Sequence, residues 1–381
     1  MHYELSDDMQ MLRDTTRKFV QKELMPHTMR IEETRSIPPE LIQRLRELGY
    51  FGIMVPEEFG GQNLGTLAYM LIQEQFAFAH NCFNLLISGS NGIGGMGVVY
   101  EGSDYLKKKY LPRLASGEVI AAFAITEPAA GSDAAAIETL AVKDGKHWVL
   151  NGRKHFITRA DIAGFFTIIA LTDRNKRAKG GITAFAIERD TPGMSITRHM
   201  ASMGSDVVRQ CEIVFENCRV PEENVIGQVG GGFRLGLRVL AAGRLSIAAR
   251  SLGAMQRAQE LTVAYAKQRI QFGEPIATKQ AVQFMLADNE VDIATLREFL
   301  YATAWRKDQG QNVDTEASMC KLYGTEALWR VVDRCVQIHG GMGYMKECEI
   351  EHIFREARGL RIYEGTSEIQ RHIIAKSLLK D

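Results

Sequence analysis

Apolar positions recur with a helical period through the first part of the chain. Ser6 precedes a run in which Met9, Leu12, Phe19 and Val20 share one face, and Pro26 lies beyond its end, so a capped helix is predicted there. A second helix is predicted over 38–48: Pro39 suits its first turn, Leu41, Leu45 and Leu48 form the stripe, and Gly49 stops it. A third is predicted over 64–80, and a fourth over 104–114, bent or broken at Pro112. At Gly117 the pattern changes. Residues 119–125 form a short apolar run, and 141–143 and 147–150 flank Asp144-Gly145, a strong hairpin signal. Phe165–Leu171, Ile182–Glu188, 195–200 and 211–215 are further strand candidates. After a hinge at 230–232, long helical patterns return at about 233–266, 278–307, 314–338 and 367–379. In the second of these, Val282, Met285, Val291, Ile293, Leu296 and Leu300 broadly keep spacings of three and four. The expected fold is α+β: an N-terminal helical domain (1–117), a middle antiparallel β-domain (118–229) and a C-terminal four-helix bundle (230–381).

At 381 residues the chain can bury a substantial core. Lys plus Arg and Asp plus Glu number 46 each, which gives no electrostatic case for nucleic acid or an anionic membrane. No uninterrupted apolar run has the length of a membrane span. The opening M-H-Y-E-L-S-D-D lacks a basic-then-apolar order and is too acidic for a transit peptide. The six cysteines contain no C-x-x-C pair, and no Cys/His cluster has zinc spacing, so no metal site is expected. They read as thiols in a reducing compartment, with the cytoplasm as the default and a processed organellar protein as the alternative.

Candidate chemistry concentrates near the end, in R-I-Y-E-G-T-S-E-I-Q at 361–370. Glu364 stands in a turn before Gly365, and Ser367 and Gln370 have the spacing of a capping box, so a helix starts here. Its free N–H groups suit an anionic or polar cofactor group. Three glycine-rich stretches stand out besides. Gly92-Ile-Gly94-Gly95-Met-Gly97 matches G-x-G-x-x-G, but helical flanks and the missing βαβ series argue against a dinucleotide fold and for close approach of helices or a ligand. Thr126-Glu-Pro-Ala-Ala-Gly-Ser-Asp133 follows a strand and offers N–H groups and hydroxyls to a neutral ring system or phosphate linker. Gln337-Ile-His-Gly-Gly-Met-Gly-Tyr344 ends a helix, where Gly340 can close the turn and His339 can be structural.

Together these residues resemble a family. T-E-P-A-A-G-S-D at 126–133, N-G-R-K-H-F-I-T at 151–158, R-I-Q-F-G at 269–273, Q-I-H-G-G-M-G-Y at 337–344, I-Y-E-G-T-S-E-I-Q at 362–370 and V-P-E-E-F-G-G at 55–61 resemble the acyl-CoA dehydrogenases, in the family's order and over essentially the whole chain. The resemblance implies noncovalent FAD and oxidation of an acyl-CoA thioester to a trans-2-enoyl-CoA, with Glu364 as the base. It implies electron-transfer flavoprotein as the acceptor and a homotetramer with FAD at a subunit interface. By position, Thr126 and Thr158 match residues bonding the flavin ring, Phe156 an aromatic beside it, and Ser132 a residue touching FAD or the pantetheine arm. Arg269, Phe272 and Gln280 match residues reaching a neighbouring subunit's FAD, as do Gln337, Gly340 and Gly341. Thr366 and Glu368 match positions at the diphosphate and adenosine end, although a carboxylate suits that place only if it faces ribose hydroxyls. Arg244 matches an arginine near coenzyme A, and Tyr363 and Gly365 flank the base on the substrate side.

Departures from the family pattern carry information. Gly243 stands where some members place the base, which leaves Glu364 as the matching one. Ala241 replaces an Asp that contacts the coenzyme A arm, and H-M-A-S-M-G-S-D at 199–206 lacks the usual Gly and Arg. Asn84 aligns with the arginine by which glutaryl-type enzymes hold a distal carboxylate, and no Lys or Arg lies between Arg46 and Lys107. A neutral acyl chain is therefore expected. Same-fold oxidase, monooxygenase or desulfinase chemistry is a second reading, and a non-catalytic flavin- or acyl-CoA-binding scaffold a third.

Overall fold

The computed structural model describes residues 5–380 apart from 205. Helices α1 (Asp7–Phe19), α2 (Thr28–Thr34), α3 (Pro39–Glu47), α4 (Gly65–Ala79), α5 (Asn81–Asn91), α6 (Met96–Glu101) and α7 (Asp104–Ala115) come first. Ser6 caps α1, its Oγ accepting from Met9 N. Helix α7 runs through Pro112 unbroken, contrary to expectation. Proline removes the donor to Lys108's carbonyl, but Lys108 is exposed, so water can replace it. Helices α2, α5 and α6 were not anticipated, α5 because its Asn, Ser and Gly content hides a segment that is buried on every side.

A sheet follows, of β1 (Ala121–Ala124), β2 (Leu140–Asp144), β3 (His147–Thr158), β4 (Phe165–Leu171), β5 (Ile182–Glu188), β6 (Met194–Met200), β7 (Gln210–Pro221) and β8 (Val225–Ile226). Its order is β6-β7-β3-β2-β4-β5-β8, with β1 also on β4. The Asp144-Gly145 turn joins β2 to β3 as predicted. The sheet is not wholly antiparallel: β4 pairs in parallel with β1 and, at Leu140–Leu171, with β2. That arrangement brings the loop after β1 beside the end of β3. Strand β7 runs on to Pro221 because it pairs with the whole length of β3.

The last part holds α8 (Gly232–Gln268), the short hairpin β9 (Ile270–Gln271) and β10 (Glu274–Pro275), α9 (Gln280–Asp308), α10 (Asp314–His339), α11 (Glu349–Leu360) and α12 (Ser367–Leu378). Helix α11 adds a fifth member to the expected four and buries Ile350, Ile353, Ala357 and Leu360. One apolar cluster joins the two helical parts: Phe76 and Phe83 of α4 and α5 pack with Leu245 and Leu252 of α8, Leu296 of α9 and Val331 of α10. The G-x-G-x-x-G stretch belongs to this packing. Phe83 to Ile87 lie in α5, not in a strand, and a Cβ on Gly94 would stand 2.8 Å from Ala121 O. These glycines let a helix turn meet β1. Among the described residues one stretch, Asn81–Glu101, is long and apolar enough to cross a membrane, at a mean hydropathy of 1.2; it is 83% buried within the protein.

Candidate active site

The turn between α11 and α12 is held in an unusual conformation. Glu364 has φ 55° and Gly365 φ 93°. A left-handed glutamate costs on the order of 1–3 kcal/mol, and such strain persists only where neighbours fix it. Here Lys321 Nζ donates to Gly365 O at 2.7 Å, and Gln370 Nε2 donates to Gly365 O at 3.0 Å and Glu364 O at 3.3 Å. The cap lies one residue earlier than expected. Thr366 Oγ1 accepts from Ile369 N, while Ser367 Oγ donates to Glu326 at 2.6 Å. Gln370 is thus a brace for the Glu364 turn rather than half of a capping box.

This turn leaves the Glu364 carboxylate with a buried Oε2 that accepts no hydrogen bond. Its room comes from Gly243 on α8, where any Cβ would overlap that oxygen. Burial pushes the Glu364 carboxyl above its ordinary range, while Arg250, Lys321, Arg159 and Arg244 pull it back. Lys321 is fully buried, and burial lowers its ammonium to about 8.

Glu364 lies on the wall of a cavity of about 620 Å³. Thr126, Ser132, Phe156, Thr158, Tyr363, Gly365 and Thr366 share that wall, so eight of the anticipated site residues meet at one place. The register of β3 on β7 shifts between Lys154 and Ile157, and Phe156, with φ 58°, is thrown out at this bulge, 60% exposed. Glu127 sets the loop beside it. Its carboxylate accepts from Lys154 Nζ at 2.7 Å, Thr139 N at 2.9 Å and Glu138 N at 2.6 Å. Burial opposes ionisation of Glu127, but these partners outweigh it and hold the carboxyl below its ordinary range. For Lys154 the balance is reversed: burial lowers it to about 8 despite the pair.

Other anticipated residues lie elsewhere. Arg244 is buried on α8 and donates to Ser318 Oγ at 3.2 Å; it lies off the cavity wall, but its charge reaches Glu364. Arg269, Phe272, Gln280, Gln337, Gly340 and Gly341 are exposed, and none lines this chain's cavity. Glu368 is exposed beside Arg371. His339 is structural, bonded to Cys335 O at 2.8 Å and stacked on Tyr265. Ser205, within 199–206, is outside the described residues. Sequence reasoning missed Arg159, Arg250 and Lys321. It also missed a convergence of Glu32, His80 and His352, where both His80 nitrogens are already engaged by Glu32 and Cys82 N.

Comparison with known proteins agrees with this geometry. Three family models match: the acyl-CoA dehydrogenase N-terminal domain over 6–118, the middle domain over 122–218 and the C-terminal domain over 230–379. The chain belongs to the acyl-CoA dehydrogenase family. A curated relative, the "Probable acyl-CoA dehydrogenase YngJ" of Bacillus subtilis (strain 168), is 40% identical over 380 residues, covering 100% of both chains. The butyryl-CoA dehydrogenase structure from Megasphaera elsdenii superposes with a TM-score of 0.96 at 33% identity, covering 100% of both chains. An acyl-CoA dehydrogenase complexed with FAD from Bacillus anthracis has a TM-score of 0.92 at 34% identity, covering 99% of this chain and 67% of that one. The protein is therefore an oxidoreductase with FAD as cofactor. Its cavity fits a flavin ring: among the described residues the Thr126, Thr158 and Ser132 hydroxyls have no protein partner, and Phe156 offers an open aromatic face.

Proposed function

We propose that this acyl-CoA dehydrogenase removes the α-proton and β-hydride of an acyl-CoA thioester, forming the trans-2-enoyl-CoA. The observation that carries this is the unpartnered Glu364 Oε2, held in the cavity wall by a strained, braced turn. Glu364 takes the α-proton. A carboxylate raised by burial is a stronger base than one in water, which suits a weakly acidic thioester α-carbon. Among the described residues the Glu364 N–H has no backbone partner, and it can donate to the thioester oxygen as enolate charge develops there. Thr126, Thr158 and Phe156 would hold FAD, which would supply the two-electron acceptor for the β-hydride. Cavity walls hold the chain between base and cofactor, so positioning does much of the work.

Electron-transfer flavoprotein is the proposed acceptor, as the family motifs imply. A homotetramer is proposed because the family motifs imply it and each residue assigned to a neighbouring subunit's cofactor is exposed. Among them Phe272 is a large apolar side chain left 94% exposed. The deciding experiment is an anaerobic titration of the holoenzyme with a panel of acyl-CoAs, followed by flavin absorbance. One or more should bleach the flavin, and Glu364→Gln should slow that bleaching by at least about a thousandfold. Equal rates in the two proteins would show that Glu364 is not the base.

A further inference from the structure

Two arginines on the cavity wall enter the chemistry above only through the distant pull of their charge on Glu364. Arg159 follows the end of β3, and Arg250 lies on α8. They are 1% and 3% exposed. Arg159 Nε donates to Ala121 O at 3.3 Å, and its Nη1 to Leu85 O and to Ser88 Oγ at 3.1 Å. Arg250 Nε donates to Gln73 Oε1 at 3.0 Å and its Nη2 to Ser246 Oγ at 3.1 Å. Its Nη1 is buried with no partner at all. Every acceptor named here is neutral, and neither guanidinium forms an ion pair with a described carboxylate.

Each guanidinium is thus buried at the wall without an ion-pair partner among the described residues, its charge met only at a distance by Glu364. Burial lowers Arg159, but only to about 10, so it stays charged at neutral pH. The carboxyls on the same wall, Glu364 and Glu356, are both pushed up by burial, Glu356 to about 7. Buried charge without a counter-charge is costly, and a ligand that brings the missing anion removes that cost. Beside Leu85, both polar atoms of the buried Asn84 amide also lack partners.

We propose that Arg159 and Arg250 bind a carboxylate on the acyl chain, so that the favoured substrate is the coenzyme A monothioester of a dicarboxylic acid. This rests on the dehydrogenase reading of Glu364. A planar carboxylate matches the fork of a guanidinium, which a hydroxyl or carbonyl does not. The nucleotide end of coenzyme A is not the anion concerned. Gln73, Leu85, Ser88 and Ser246, which hold the two arginines, are all buried, and a bulky nucleotide must reach solvent. The sequence pointed to a neutral chain because residues 47–106 hold no Lys or Arg. The fold brings its cations from β3 and α8 instead.

The test compares glutaryl- and adipoyl-CoA with pentanoyl- and hexanoyl-CoA, matched in chain length. Calorimetry on the Glu364→Gln holoenzyme gives binding, and anaerobic flavin bleaching of the unaltered holoenzyme gives rates. The dicarboxylic thioesters should bind about 10–100-fold more tightly than their neutral partners. Arg250→Gln should abolish most of that preference while leaving pentanoyl-CoA binding nearly unchanged, and Arg250→Lys should keep part of it. Equal or better binding of the neutral chains by the parent protein overturns the proposal, as does a preference untouched by Arg250→Gln. An altered flavin midpoint potential in Arg250→Gln with unchanged preference would assign the arginines to the cofactor. If Arg250 variants fail to fold, the matched pairs on the parent protein still decide. Failure of every acyl-CoA to bleach the flavin sinks the dehydrogenase reading alone, since calorimetry reads the carboxylate preference separately.

Discussion

Gly243 and Glu364 meet in one small volume. A methyl group at 243 would displace the carboxylate, yet α8 itself should gain from the change, since alanine is favoured over glycine in a helix by about 1 kcal/mol. Gly243→Ala should therefore fold and bind FAD normally but bleach at least about tenfold more slowly with the best acyl-CoA. Stopped-flow absorbance measures this, and an unchanged rate would place the working carboxylate elsewhere. Glu364 was legible in sequence because its turn and the helix after it carry a recognisable pattern. Arg159 and Arg250 were not. Each reads alone as a surface cation, and only the fold buries both beside residues more than seventy positions away.

Elements differ in how openly the sequence announces them. The β2–β3 turn is written in Asp144-Gly145, a local preference. The β3 bulge that exposes Phe156 has no such signature, because it comes from registration against β7, distant in sequence. Glu127 looked like part of a cofactor loop, but its carboxylate serves the loop itself by holding Lys154 and two backbone N–H groups. Glu127→Gln should cost about 3–5 kcal/mol in denaturant unfolding, because Lys154 is left buried without its counter-charge and the two backbone N–H groups lose their carboxylate acceptor. Adding Lys154→Met should recover most of that loss. If the double variant is no more stable than the single one, the pair is not what holds the loop.

At the scale of the whole molecule, the helical, β, helical order was readable from changes in periodicity. The joining of the first and last helices into one core was not, since periodicity gives a buried face without naming what covers it. The surface holding Phe272 follows the same logic between subunits. Phe272→Asp should dissociate the proposed tetramer and weaken FAD retention together, as light scattering and flavin release would show. A variant still tetrameric by scattering would remove this face from the assembly.

The shared helical core also bears on how the protein is made. Helix α4 is buried almost all round, and much of its cover is α8. Phe76 is translated about 176 residues before Leu252, its neighbour in that cluster, a delay on the order of 10–35 s at usual elongation rates. For that interval the earliest helices have only one another, with the α8 side of α4 uncovered, while the sheet between them is completed. The newborn chain therefore presents an apolar surface that chaperones can hold, and a ribosome stalled just before α8 should expose α4 to protease.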